Sequence, residues 1–243
     1  PLEIHYPPPV LPVFSNGGTE TLQITTGNQA VLPDLSLATV SSFMEDDQPW
    51  TLKQNAFESI LVQKDATLTF TATEFENVQI FTNTFDIDKD AVVSVEGSGT
   101  VDVFVGDSFG DAKFDGVFLN DTHQISIYYY GEDDFSLDSD FYSGDFYIQN
   151  SGMTMNGGEI TGAFYSASSE GISVNGNANL TAKLYAPLAE VTLSGNCNTL
   201  ISVCRSGDLT GTTRLAYPGA SDDEVQEIQV SYISDGELGL WLQ

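Results

Sequence analysis

The chain has 243 residues, with 35 acidic against 7 basic side chains and a formal charge of −28. That length suits one large all-β domain or two small ones, and 41 % hydrophobic plus 11 % aromatic residues are too many for a disordered acidic polymer. Five lysines and two arginines that never cluster exclude nucleic acid as a partner. No apolar run approaches the ~20 residues of a membrane helix, so the chain is not expected to be membrane-embedded.

Residues 1–14 form an apolar arm with five prolines, which forbid a helix and hold the chain extended. Its Ile4, Tyr6, Val10, Leu11, Val13 and Phe14 are candidate contacts to a neighbouring subunit, although such an arm can equally lie across its own domain. Asn16-Gly17-Gly18 signals the turn that ends it. Over 19–54 the pattern is mixed: Leu22/Ile24 and Leu35/Leu37 alternate as short strands, and 44–49 is expected to be a loop. From Asn55 onward period-two alternation takes over, through Ile60/Val62, Leu68/Phe70, Val78/Ile80, Phe85/Ile87, Val93/Val95, Val101/Val103/Val105, Ile125/Ile127 and Phe146/Ile148. The fold class is all-β.

The last third carries an internal repeat. Gly157, Gly176 and Gly195 mark equivalent turns at an even interval, and Gly211 follows after a slightly shorter one. Each follows a short strand (Met153/Met155, Ile172/Val174, Val191/Leu193, Leu209), itself preceded by another (163–165, 184–186, 200–203). Such a period fits the rung of a parallel β-helix, in which rungs stack at ~4.8 Å because none can bury its apolar side chains alone. The Asn-Gly corners are expected to use the left-handed conformation that Asn tolerates and Gly takes freely. The alternative is a β-sandwich with evenly spaced turns. The expected division is arm 1–18, short strands or cap 19–54, solenoid 55–217, and C-terminal strands or cap 218–243.

Gly171-Ile172-Ser173-Val174-Asn175-Gly176-Asn177-Ala178, followed by the run from Leu184-Tyr185-Ala186-Pro187 to Val191-Thr192-Leu193-Ser194-Gly195-Asn196, resembles the β-solenoid domain of bacterial PilX-type, pilus-associated exported surface proteins. The likeness spans roughly 55–217, and Tyr185-Ala186-Pro187 is its most specific part. It implies a bacterial, surface-associated, non-enzymatic scaffold and supplies no catalytic residues. Assembly through the family's pilin-like N-terminal helix is not expected from the proline-rich residues 1–14, and Cys204-Arg205-Ser206 stands where small residues are usual.

Chemistry is sparse. The only histidines are His5, in the arm, and His123, in a polar stretch, so His-based metal or nucleophile sites are hard to build. Asp86, Asp88 and Asp90 have the odd-position spacing of a calcium loop, but Ala91 stands where the turn glycine should be and Gly97 where the bidentate Glu should be. In a strand they would instead line one exposed face. Calcium is thus the only cofactor candidate, and Asp133, Asp134, Asp138 and Asp140 form the densest other carboxylate cluster. Cys197 and Cys204 are either a disulfide or two buried small hydrophobes. Asn120 and Asn179 open glycosylation sequons. Arg205 and Arg214 lack the carboxylate pair of a sugar-cleaving solenoid.

The aromatic run Tyr128–Tyr130, with Phe141, Tyr142, Phe146 and Tyr147, suits core packing with an interface strip. Thr67, Thr69, Thr71 and Thr73 share one strand face, as an ice-binding row would. The arm and the C-terminal 238–242 segment with Trp241 look like material that caps a solenoid end or pairs with a neighbour. The expected function is an extracellular or cell-surface, self-assembling homopolymer subunit. The alternative is a monomeric module for carbohydrate or ice.

Overall fold

A computed structural model describes residues 7–15, 17–45, 47–119, 124–138, 140–175, 179–194, 197–210 and 213–215, with the backbone alone at 179, 197–202, 209–210 and 213–215. Among the described residues every regular element is a strand. The chain opens with β1 (Thr21–Ile24) and β2 (Gln29–Leu32), then a hairpin of β3 (Thr39–Glu45) and β4 (Gln48–Val62). β5 (Thr67–Thr71), β6 (Glu76–Ile87), β7 (Val92–Glu96), β8 (Thr100–Ser108), β9 (Lys113–Phe114) and β10 (Val117–Leu119) follow. The middle comprises β11 (Ile125–Tyr129), β12 (Phe135–Leu137), β13 (Phe141–Ile148), β14 (Met153–Met155), β15 (Glu159–Ser166) and β16 (Ile172–Val174). Last come β17 (Asn179–Ser194), β18 (Cys197–Thr210) and β19 (Thr213–Leu215).

Pairing is parallel throughout, except in the β3–β4 hairpin. The strands form three stacks, one per face of a β-solenoid. The first face runs from β4 residues 51–57 through β6, β8 and β11, then the later halves of β13 and β15, to the centres of β17 and β18. The second begins at β1 and the end of β4 and continues through β12, β14 and β16. The third begins at β2, β5, β7 and β10 and ends at β19. A sandwich would need antiparallel neighbours. In the predicted repeat, Met155 lies in register with Val174 and Val174 with Leu193, which in turn pairs with Leu209.

The alternating side chains named from the sequence point inward: Ile60, Val78, Val103, Ile127 and Phe146 have no exposed surface. The interior at mid-chain is aromatic. Phe109 packs against Phe114, Tyr129 and Phe135 at centroid distances of 5.0, 4.6 and 4.8 Å. The buried phenols find backbone acceptors: Tyr129 Oη donates to Asp107 O and Asp133 O, and Tyr142 Oη to Asp145 O.

Rungs shorten along the chain. Thr51 pairs with Glu76 and Val101 with Ile125 in the long part, whereas Phe135 pairs with Met153 and Cys197 with Thr213 in the short part. Corners in the long rungs are tight turns whose third residue has positive φ: Gly27 (75°), Asp65 (58°) and Asp90 (67°). Lys64-Asp65-Ala66 and Lys89-Asp90-Ala91 are therefore copies of one corner on successive rungs. At the Asn156-Gly157-Gly158 corner of the short rungs the asparagine does something other than expected. The positive φ falls on Gly157 (107°) and Gly158 (81°), while Asn156 Nδ2 donates to Asp138 Oδ1 (2.8 Å) and Asn175 Nδ2 to Asn156 Oδ1 (3.4 Å). Ser194 Oγ continues this amide ladder onto Asn175 Oδ1 (3.1 Å). A side-chain amide can both donate and accept, so one Asn per rung chains hydrogen bonds along the stack.

Three local expectations in 19–54 need correction. Leu35 and Leu37 are exposed (66 and 52 %) and lie in a turn rather than a strand. Residues 44, 45, 48 and 49 belong to the hairpin strands rather than a loop, with Phe43 stacked on Trp50 at 6.2 Å. The short strands β1 and β2 are not separate from the solenoid but continue its parallel stack. After β2 the chain crosses the end of the tube and returns as β3, antiparallel to β4. Asn55 holds that crossing. It is 2 % exposed, occupies the inward column of Ile80 and Val103, and exchanges two hydrogen bonds with Asp34 (2.8 and 3.2 Å).

Candidate functional site

The first face carries a column of rings on its outer side. Register places Phe81, Phe104, Tyr128, Tyr147, Tyr165 and Tyr185 at equivalent positions on six successive rungs. Consecutive centroids lie 4.6, 4.8, 4.6 and 4.8 Å apart with planes within 11° of parallel, and only the last step, Tyr165–Tyr185, opens to 6.4 Å and 53°. The spacing is the rung spacing. Phe104, Tyr128 and Tyr147 therefore spend both faces on their neighbours and turn their edges outward. Burial pushes the hydroxyl of Tyr147 up to about 12, and those of Tyr128 and Tyr165 also rise, so the phenols stay neutral donors.

The proline-rich arm lies along this column. Tyr185 Oη donates to Pro7 O and Tyr130 Oη to Pro12 O, both at 2.6 Å. Phe14 packs against Tyr130 (5.3 Å) and Phe81 (6.3 Å), over Gly106, where a Cβ would meet the Phe14 ring at 2.7 Å. Gly17 N then donates to Asn83 Oδ1, and a Cβ on Gly18 would run into Ala56 O. The lengths agree: five residues of polyproline II helix span ~15 Å, and the three rungs from Tyr130 to Tyr185 ~14 Å. Proline carbonyls are good acceptors with no competing N–H, and that is the chemistry aromatic hydroxyls read in proline-rich segments.

Beside the rings, two residues earlier on the same strands, runs a polar column, Gln79, Asp102, Ser126 and Asp145, which Gln54 of β4 extends. Asn77 Nδ2 donates to Asp102 Oδ2 at 2.9 Å, and burial raises the Asp102 carboxyl above its usual range.

Of the predicted subunit contacts, Phe14 is packed on the chain's own rings, whereas Val10 and Val13 are 94 and 90 % exposed. Leu11 is half-buried. Ile4, Tyr6 and Trp241 lie outside the described residues, as do His5, His123 and Asn120. The Cys197 side chain is also outside them, so the Cys197–Cys204 pairing is not described, and the same holds for the side chain of Asn179.

Asp86 is the only one of its trio in a strand. The chain must turn after Ile87, which puts Asp88 and Asp90 in a corner. There Asp88 Oδ2 accepts Lys64 N (3.0 Å) and Asp90 pairs with Lys64 Nζ (3.2 Å). Burial raises the Asp86 carboxyl, aided by Asp88, Asp111 and Asp115. Asp134 and Asp138 flank β12 and are engaged by Gly152 N and Asn156 Nδ2 respectively. Among the described residues no three His, Cys, Asp or Glu side chains are grouped to hold a metal. Thr67, Thr69 and Thr71 do share the outer side of β5, while Thr73 falls beyond the strand. Their neighbours on adjoining rungs are Gln29, Val31, Val92, Ser94 and Glu96, so no threonine array is built.

The ring column is what sequence reasoning missed. Tyr128 and Tyr147 are its members, while Tyr129, Tyr142 and Phe146 are core. The signal was present as aromatics recurring once per rung from Phe81 to Tyr185, at unequal intervals that follow the rung lengths. The Tyr185-Ala186-Pro187 motif acquires a role here. Tyr185 ends the column, Ala186 turns inward, and the register slips between Ala186 and Glu190. Among the described residues no helix is long and apolar enough to cross a membrane. No family model, curated protein or solved structure matches the chain.

Proposed function

We propose that this chain is a non-enzymatic structural subunit of an extracellular or bacterial cell-surface assembly, a homopolymer in which the N-terminal arm is the joining element. The observation that carries the reading is the arm seated by its carbonyls and Phe14 on a ready-made column of rings. A groove specific for the chain's own terminal segment is a joining device in either of two settings, within one chain or between chains. The charge of −28 opposes close approach of the bodies, so assembly should strengthen with salt or divalent cations. The likeness to PilX-type surface domains favours the same class. Against the carbohydrate alternative, a sugar ring needs an aromatic face and these rings offer edges.

Negative-stain electron microscopy of the full chain in calcium-containing buffer, beside a chain lacking residues 1–14, tests this. Regular filaments or tubes that vanish on deletion are expected. Particles of about one chain's mass from the full chain, or polymers unaffected by the deletion, would overturn it.

A further inference from the structure

We infer that the arm is exchangeable between two copies of this chain and that exchange gives a closed, two-fold pair joined at their N-terminal ends. The inference rests on the proposed role of the arm as a joining element. The seat is defined by few contacts, namely two hydroxyl–carbonyl hydrogen bonds and the Phe14 pocket over Gly106, and residues 7–15 bear no charge. A second copy's arm makes the same contacts, so only the Gly17-Gly18 hinge and the effective concentration distinguish the two states.

Polarity fixes the geometry. Gly18 sits by the β4 rung and Pro7 by the β17 rung, so an arm can enter the groove only from the acceptor's N-terminal end. A donor must therefore present its own N-terminal end, and reciprocity makes the pair two-fold. A head-to-tail chain of arms would run backwards over the rings. Exchange thus closes on itself, and any longer polymer must join such pairs through another surface.

The ends that would meet carry a second, independent mark. β3 is exposed along its whole length and, among the described residues, pairs only with β4. Val40, Met44 and nearby Val31 are 56, 67 and 59 % exposed.

The test mixes two full-size partners. In one, Gly106→Leu fills the seat of Phe14, so its arm cannot close on its own body; the other lacks residues 1–15 and has a vacant groove. Each alone should scatter light as one chain, and the mixture as a 1:1 pair of twice that mass. Should Gly106→Leu lower the melting temperature, the double change Tyr130→Phe/Tyr185→Phe replaces it, keeping the rings and removing both donors. A mixture that stays at one-chain mass while a synthetic peptide of residues 1–15 binds the truncated chain overturns exchange and leaves the assembly reading to its microscopy. A peptide that does not bind overturns exchange and the arm's joining role together.

Discussion

The long-rung and short-rung parts of this solenoid solve one problem in two ways. Between 51 and 119 the contour of each rung is long, the corners are Lys-Asp turns, and the tube is filled with phenylalanine. Beyond Met153 the contour is shorter, the corners are held by amides, and glycines let backbones close in. A longer contour encloses more volume and needs larger side chains; a shorter one has little room and needs smaller ones. The same parallel ladder thus fails in opposite ways, by emptying in one part and by crowding in the other.

The sharpest test adds a single methyl group to the tight part. Gly162 has φ 125°, and a Cβ there would run into Gly144 O. Gly162→Ala is expected to cost about 4 kcal/mol or more and to melt the short rungs first, as read by hydrogen exchange. Removing volume from the wide part is the converse. Phe109→Ala should cost about 3–5 kcal/mol in urea unfolding; a loss below about 1 kcal/mol would mean that this interior is not densely packed.

Corners come next. Asn175→Ala breaks the amide ladder on both sides and should cost about 1–2 kcal/mol. Lys64→Met, at an exposed pair with Asp90, should leave the urea midpoint unchanged. Equal effects would erase the distinction between the two corner types.

The smallest effect concerns pH. Burial raises the Asp102, Asp86 and Asp115 carboxyls. A carboxyl raised in the folded state contributes its full stability below the unfolded carboxylate range and loses it as pH rises through the folded value. The chain should therefore melt higher at the ordinary carboxylate range than at pH values above the raised ones. Asp102→Asn should remove part of that slope and slightly raise the melting temperature at neutral pH; an unchanged slope would place its origin elsewhere on the surface.

The short rungs were largely legible, because their apolar pairs and glycines recur at nearly constant spacing. The long rungs were harder. Lys64-Asp65-Ala66 and Lys89-Asp90-Ala91 are a single pair of copies, and the third corner departs from them with Asp115-Gly116-Val117. The aspartates there imitate a calcium loop because carboxylates also suit corner turns that need positive φ. At 19–54 alternation misled because the chain reverses direction over the tube end, and Leu35 and Leu37 serve a crossing rather than a face. The ring column escaped notice because the long and short rungs give its members unequal intervals, and Tyr128 is adjacent to the core residue Tyr129. The arm could be read as extended and able to lie on its own body or a neighbour's, but its seat could not be located, since Tyr130 and Tyr185 lie 118 and 178 residues from their acceptors.

Five aromatic chromophores held face to face, with planes within 11° of one another, form a small exciton system. Its three tyrosyl transitions couple at a separation fixed by the backbone, so the near-ultraviolet circular dichroism of this chain should carry a signed couplet that isolated tyrosines lack. The arm borders the six-ring column at both ends, at Phe81 and at Tyr185. Unseating it changes the polarisability along the array without touching the fold, which makes the column an intrinsic, label-free optical gauge of where the arm is.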